Sequence, residues 1–234
     1  MQATRSRAKR RAILSWIPTA VIALICAGVV LGAFTMQNSW WVQPDARPAA
    51  DQEAADGMSI FDVSGVHWFT RQGVVKVSLR ADSTATAELG LESDGSTRIE
   101  PIVPIDAVVL TPDGVLTFDS VSSIDVATAE GRVASVTIGQ DGNGAWTSAF
   151  ARLQTVAESW GWTPEQLDAL VADLAAASRE GGGTAYSADL PAVDVRGARA
   201  SARMHVDTAA ASTTLSFTIA VPKAGLLLPG RRVW

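Results

Sequence analysis

Residues 198–221 read ARASARMHVDTAAASTTLSFTIAV, and this stretch decides the fold. Ala198, Ala200, Ala202, Met204 and Val206 alternate with Arg199, Ser201, Arg203, His205 and Asp207. Thr213, Leu215, Phe217, Ile219 and Val221 alternate with Thr214, Ser216, Thr218 and Ala220. Successive strand side chains point to opposite faces, so each run predicts a strand with one buried face. Together they predict a long C-terminal hairpin.

The segment before this hairpin has a helical period. Phe150, Leu153, Ala157 and Trp160 fall on one helical face, with Thr147 or Ser148 as cap and Gly161 as stop. Thr163-Pro164-Glu165-Gln166 opens a second helix as a capping box, and Leu167, Leu170, Val171 and Leu174 form its apolar stripe. Arg179, Glu180 and the run Gly181-Gly182-Gly183 close it. Gln140 to Gly144 (QDGNG) reads as the turn that breaks the preceding sheet.

From Ile60 the pattern is again period two. Val75, Val77 and Leu79 form one alternating run, and Ala85, Ala87, Leu89 and Leu91 another. Arg71-Gln72-Gly73 and Ser93-Asp94-Gly95 read as turns. Thr111-Pro112-Asp113-Gly114 joins Val108–Leu110 to Val115–Phe118 in a hairpin. Pro101 and Pro104 confine their segment to an edge or a loop. Short strands follow near 124–126 and 133–138, joined through Ala129-Glu130-Gly131. Strands, then two helices, then strands predict an α+β class: a mainly antiparallel β domain with an inserted helical hairpin.

Ahead of this domain lies a different kind of sequence. Ala12 to Phe34 is a run of 23 residues without a formal charge. As a helix it measures about 35 Å, against about 30 Å of bilayer hydrocarbon. Pro18 sits near its start, Trp16 marks one end, and Trp40 and Trp41 lie just past the other, as interfacial aromatics do. Arg5, Arg7, Lys9, Arg10 and Arg11 precede it and predict a cytoplasmic N-terminus. The run is longer than a signal-peptide core, and Leu31-Gly32-Ala33 is a poor cleavage site. Cys26, the one cysteine, sits mid-segment behind bulky Leu24 and Ile25, which suits an apolar residue in lipid better than an acylated one.

The expected organisation is therefore a cytoplasmic basic tail (1–11), a transmembrane helix (12–34), a juxtamembrane linker (35–58), an extracytoplasmic α+β domain (59–223) and an apolar, then basic tail (224–234). Gln43 to Gly57 holds two prolines, four acidic residues and no aromatic, the composition of a flexible spacer. Arginine outnumbers lysine 16 to 3, a bias of GC-rich bacterial genomes. Mean hydropathy of +0.18 is raised by the anchor and the alanines.

Charge and residue types then narrow function. From Asp45 onward 14 basic residues face 24 acidic ones, a net −10 that argues against nucleic acid as partner. Asp141-Gly142-Asn143-Gly144 lacks the EF-hand pattern, because the twelfth position is Arg152 rather than Glu. His67 and His205 have no ligand-type neighbour at metal spacing, and no Gly-x-Ser-x-Gly elbow is present. No cofactor or metal is expected. Arg199, Arg203 and His205 share one strand face, a candidate surface for an anionic ligand or partner. Trp160 and Trp162 bracket a helical turn, where core and corner packing is the first reading and an aromatic platform for a sugar or a partner the alternative; Arg231, Arg232 and Trp234 in the tail complete the candidate surface.

The expected function is non-enzymatic: an interaction or scaffold subunit of an envelope complex, held at the cell membrane by its single pass. An alternative is a lipid- or glycan-binding domain with an apolar cavity lined by Leu170, Leu174, Phe217 and Ile219. A histidine-dependent envelope hydrolase is the weaker third reading.

Overall fold

The computed structural model describes residues 52–143, 146–180 and 184–221. The expected anchor with Trp16, Pro18, Cys26, Phe34, Trp40 and Trp41 lies outside them, as do Gly181–Gly183 and the tail with Arg231, Arg232 and Trp234. Among the described residues no helix is long and apolar enough to cross a membrane.

The order of elements is α1 (Val63–Gln72), β1 (Val74–Ser78), β2 (Gly95–Ile99), β3 (Ile105–Thr111), β4 (Gly114–Val121), β5 (Ser123–Ala129), β6 (Arg132–Asn143), α2 (Trp146–Trp160), α3 (Pro164–Glu180), β7 (Ala185–Val195), β8 (Ala198–Asp207) and β9 (Ser212–Ala220). The strands form a three-stranded sheet, β1-β3-β4, and a six-stranded sheet, β2-β5-β6-β9-β8-β7. Every pairing is antiparallel except β1 with β3. This is the expected mixed α+β class, mostly antiparallel.

The C-terminal hairpin forms as read, with Ala202 opposite Phe217 and Met204 opposite Leu215. Its inner residues are buried, and its outer residues are not. Two further hairpins turn on two-residue loops with positive φ at both positions: Glu130 and Gly131 (54° and 72°), then Arg196 and Gly197 (49° and 76°). That geometry matches the right-handed twist of the flanking strands. The second loop joins β8 to β7, a strand the sequence reading passed over.

The capping box is built as expected. The Thr163 amide donates to Gln166 Oε1 at 2.9 Å, and the Gln166 amide donates to Thr163 Oγ1 at 3.4 Å. A hydrogen bond with the same Thr163 hydroxyl holds the Glu165 carboxyl below its ordinary range. Thr163→Ala is expected to cost about 1 kcal/mol of domain stability. Urea unfolding that places the variant on the wild-type curve would show the cap to be redundant.

The structure corrects four readings. Residues 63–72 are helical, with Asp62 as N-cap: its Oδ1 accepts from the Gly65 amide at 2.7 Å. Gly73, read as a turn residue, is the left-handed cap that closes this helix. Residues 85–91 are no strand: the Leu91 amide donates back to Thr86 O, and Gly90 takes φ +72°. Leu89 and Leu91 reach the core from that turn, so their spacing mimics a strand.

The third correction concerns Gln140–Asn143, which continue β6 rather than ending it. The β6–β9 ladder runs from Ser135 opposite Ala220 to Asn143 opposite Ser212. Glycines weaken an isolated strand, but here they let side chains lie directly on the backbone. Fourth, the spacer is shorter than its composition suggests. Gln52 and Met58 are buried, and Glu53 pairs with Lys76 at 3.3 Å. Burial pushes the Asp56 carboxyl up, but hydrogen bonds led by the Thr84 amide more than offset this and hold it below its ordinary value.

The core lies between the two sheets and the helices. Phe118 of β4 packs on Phe217 of β9 and on Trp160 of α2, with ring centroids 5.5 and 5.6 Å apart. Trp160 stacks on Trp162 at 5.5 Å, and Trp162 Nε1 donates to Pro191 O at 2.9 Å. The opposite face of the central strands carries Thr137, Ser201, Ser216 and Thr218 between the charged residues of β8 and β6. The Thr137 and Thr218 hydroxyls meet there at 3.0 Å.

Candidate functional site

The cationic face of β8 is present but already paired. Arg203 donates through Nε and Nη2 to the two oxygens of Asp189 on β7, at 2.6 and 3.0 Å. The hydrogen bond and charge of Asp189 raise the Arg203 pKa further. Arg199 Nε lies 3.8 Å from Asp194 Oδ1. Cross-strand carboxylates thus neutralise two of the three expected anion-binding groups. His205 stands exposed opposite Ser187 and Thr214.

Trp160 and Trp162 are core residues, 7% and 3% exposed, so no aromatic platform faces solvent there. Leu170, Leu174, Phe217 and Ile219, expected to line a cavity, belong to one continuous buried cluster. All four are 3% exposed or less. His67 is exposed on α1, and neither histidine bonds a carboxylate among the described residues. Among those residues no three His, Cys, Asp or Glu side chains converge as metal ligands would.

A different place in the fold gathers polar groups. A cleft of about 600 Å³ opens where β2, the β4–β5 connection, the end of β6 and α2 meet. Its apolar wall is the loop after β2. Pro101 and Pro104 fix φ on either side of Ile102 and Val103, which are 100% and 64% exposed. Its polar wall holds Ser120, Ser122, Ser123 and Thr214.

Asp141 and Gly142 at the end of β6 make the floor, and two glycines of this strand meet side chains closely. A Cβ on Gly139 would lie 2.2 Å from Ser123 Oγ, and one on Gly142 would lie 3.1 Å from Arg152 Nη2. The Ser123 hydroxyl must shift to admit any Cβ at Gly139, whereas at Gly142 the Arg152 guanidinium lies in tight contact with the strand. Ser122 Oγ accepts from the Asp141 amide at 3.0 Å and donates to Gly139 O at 3.1 Å. Thr214 Oγ1 donates to Asp141 Oδ1 at 2.7 Å. Ser120 adopts a left-handed φ of 53°, the uncommon region for a residue with a side chain.

The charges of the cleft are unevenly satisfied. Arg98 Nε pairs with Glu100 Oε1 at 2.8 Å. Arg152, half-buried on α2, has no carboxylate within 4.0 Å and no hydrogen-bond acceptor for its guanidinium among the described residues. In the sequence alone Arg152 stands out only as the residue that breaks a calcium loop, and Asp141-Gly142 only as a turn. The missed signal was the glycine spacing in β6: isolated glycines in a strand mark close approach by another group.

No protein-family model, no curated protein and no solved structure matches the chain.

Proposed function

We propose that this chain is a non-enzymatic interaction or scaffold subunit, held at a bacterial cell membrane by residues 12–34, with its folded domain on the extracytoplasmic side. Its partner is another envelope protein, docked at the cleft beside β2.

The supporting observation is the Pro-Ile-Val-Pro loop. Scattered exposed apolar residues are ordinary, but two adjacent ones clamped between prolines form a stiff apolar tip. Burying one such side chain is worth about 1.5–3 kcal/mol, and a preset backbone lowers the ordering cost of binding. The apolar run 12–34 and the basic residues before it support the membrane address.

The full chain in native membranes, carrying a photo-crosslinking amino acid at position 102, is expected to give a discrete adduct with one envelope protein. The same probe at exposed Glu88 serves as control. Identical crosslinking patterns from the two positions would remove the docking role of the loop.

A further inference from the structure

We infer that the Arg152 guanidinium is a receptor for a peptide carboxylate, carried by a partner segment whose adjacent apolar side chain rests on Ile102. This inference builds on the docking role of the cleft and names the chemistry it selects.

Arg152 is half-buried as a residue and presents its guanidinium to the cleft, where an anion can pair with it away from open solvent. Arg203, Arg98 and Arg199 each have an intramolecular carboxylate; Arg152 has none among the described residues. It lies close over the strand at Gly142, where a Cβ would stand 3.1 Å from Nη2, and lines the cleft with Ile102. Guanidinium offers a planar fork that a carboxylate fills with two parallel hydrogen bonds.

The surroundings choose among anions. Asp141 and Glu100 line the same cleft, so a second negative charge on the ligand meets repulsion. This favours a monoanionic carboxylate over phosphate. The net negative charge of the domain weakens attraction for any free small anion. A ligand that adds apolar contact overcomes that deficit, and Ile102 on the same rim provides the surface.

The test uses the full chain in detergent micelles and the arginine reagent phenylglyoxal, read residue by residue by peptide mass spectrometry. The probes are acetyl-Val-Leu with a free carboxylate, the same dipeptide as its amide, acetate, and inorganic phosphate. The acid is expected to slow modification of Arg152 about threefold, as mass action gives at roughly twice its Kd. Arg203, held by Asp189, serves as the internal reference and is unaffected. The amide gives no protection, and phosphate gives less than the acid. Ile102→Ser, which removes the apolar surface without adding charge, is expected to lower protection by the dipeptide acid while leaving protection by acetate unchanged.

Equal protection by acid and amide, protection by phosphate matching the acid, or none by any probe overturns the carboxylate assignment. A partner crosslinked through position 102 survives that result. Protection of Arg152 without such a crosslink instead counts against the docking role alone.

Discussion

Phe217→Ala is expected to destabilise the folded domain by about 3–5 kcal/mol, the cost of deleting a buried aromatic ring where neighbours relax only partly. The ring is 2% exposed and sits where three elements meet. It contacts Phe118 from the three-stranded sheet at 5.5 Å and Trp160 from α2 at 5.2 Å. Its removal leaves a void between the sheets that neither neighbour fills without leaving its own contacts. Trp160 and Trp162 report the change directly, so urea unfolding of the full chain followed by tryptophan fluorescence measures it. Thr218→Ala, one residue on and facing outward, removes one hydroxyl pair with Thr137 and is expected to cost about 1 kcal/mol or less. Similar losses at both positions would mean that the two faces of β9 are not as unequal as the structure has them.

Gly65→Ala is expected to reverse the usual sign of its substitution class. Inside a helix, replacing glycine by alanine ordinarily gains about 0.5–1 kcal/mol. Gly65 lies inside α1, yet its added Cβ would stand 2.1 Å from Ile60 O and 2.7 Å from Ile60 C. Both are backbone atoms, so no side-chain rotation relieves the clash. Helix α1 must move away from the segment before it. That segment is itself fixed, because the Phe61 amide donates to Leu89 O and the Phe61 ring packs on Phe69. An expected loss of about 2–3 kcal/mol follows from overpacking against a rigid neighbour. Thermal unfolding decides it: a melting temperature at or above wild type would show that α1 stands off from Ile60.

Local physics explains which elements were legible. The hairpins at 108–118, 124–138 and 198–221 are runs whose alternation and turns lie within about twenty residues, and they form as read. The capping box needs only Thr163 and Gln166. The failures share another trait. Leu89 and Leu91 alternate like a strand, but turn bonds within 85–91 outweigh a pattern that no neighbouring strand completes. Val63–Gln72 has a cap at each end, and the expectation of continuing strands obscured both.

The candidate site was less legible for the same reason. Arg199, Arg203 and His205 do share a face, as period two requires. Whether their charges are free depended on β7, whose Asp189 and Asp194 arrive from outside the hairpin. Trp160 and Trp162 flank Gly161 at a helix end, and the sequence left core packing and a platform both open. Here Phe118 and Phe217 come from other strands to cover Trp160, and Pro191 O takes the Trp162 donor.

By itself the sequence determined the mixed class, the hairpins, the two consecutive helices and the apolar run 12–34, because spacing, turn chemistry and hydropathy act over short stretches of chain. The tertiary structure alone decided three further things. It divided the strands into two sheets and set β1 parallel to β3. It carried β6 through the glycines of 139–142. It laid Arg152 across Gly142, ten residues earlier in the chain and on a different element. Each depends on which distant backbone comes close enough to pair or to exclude a Cβ, and no local pattern records that.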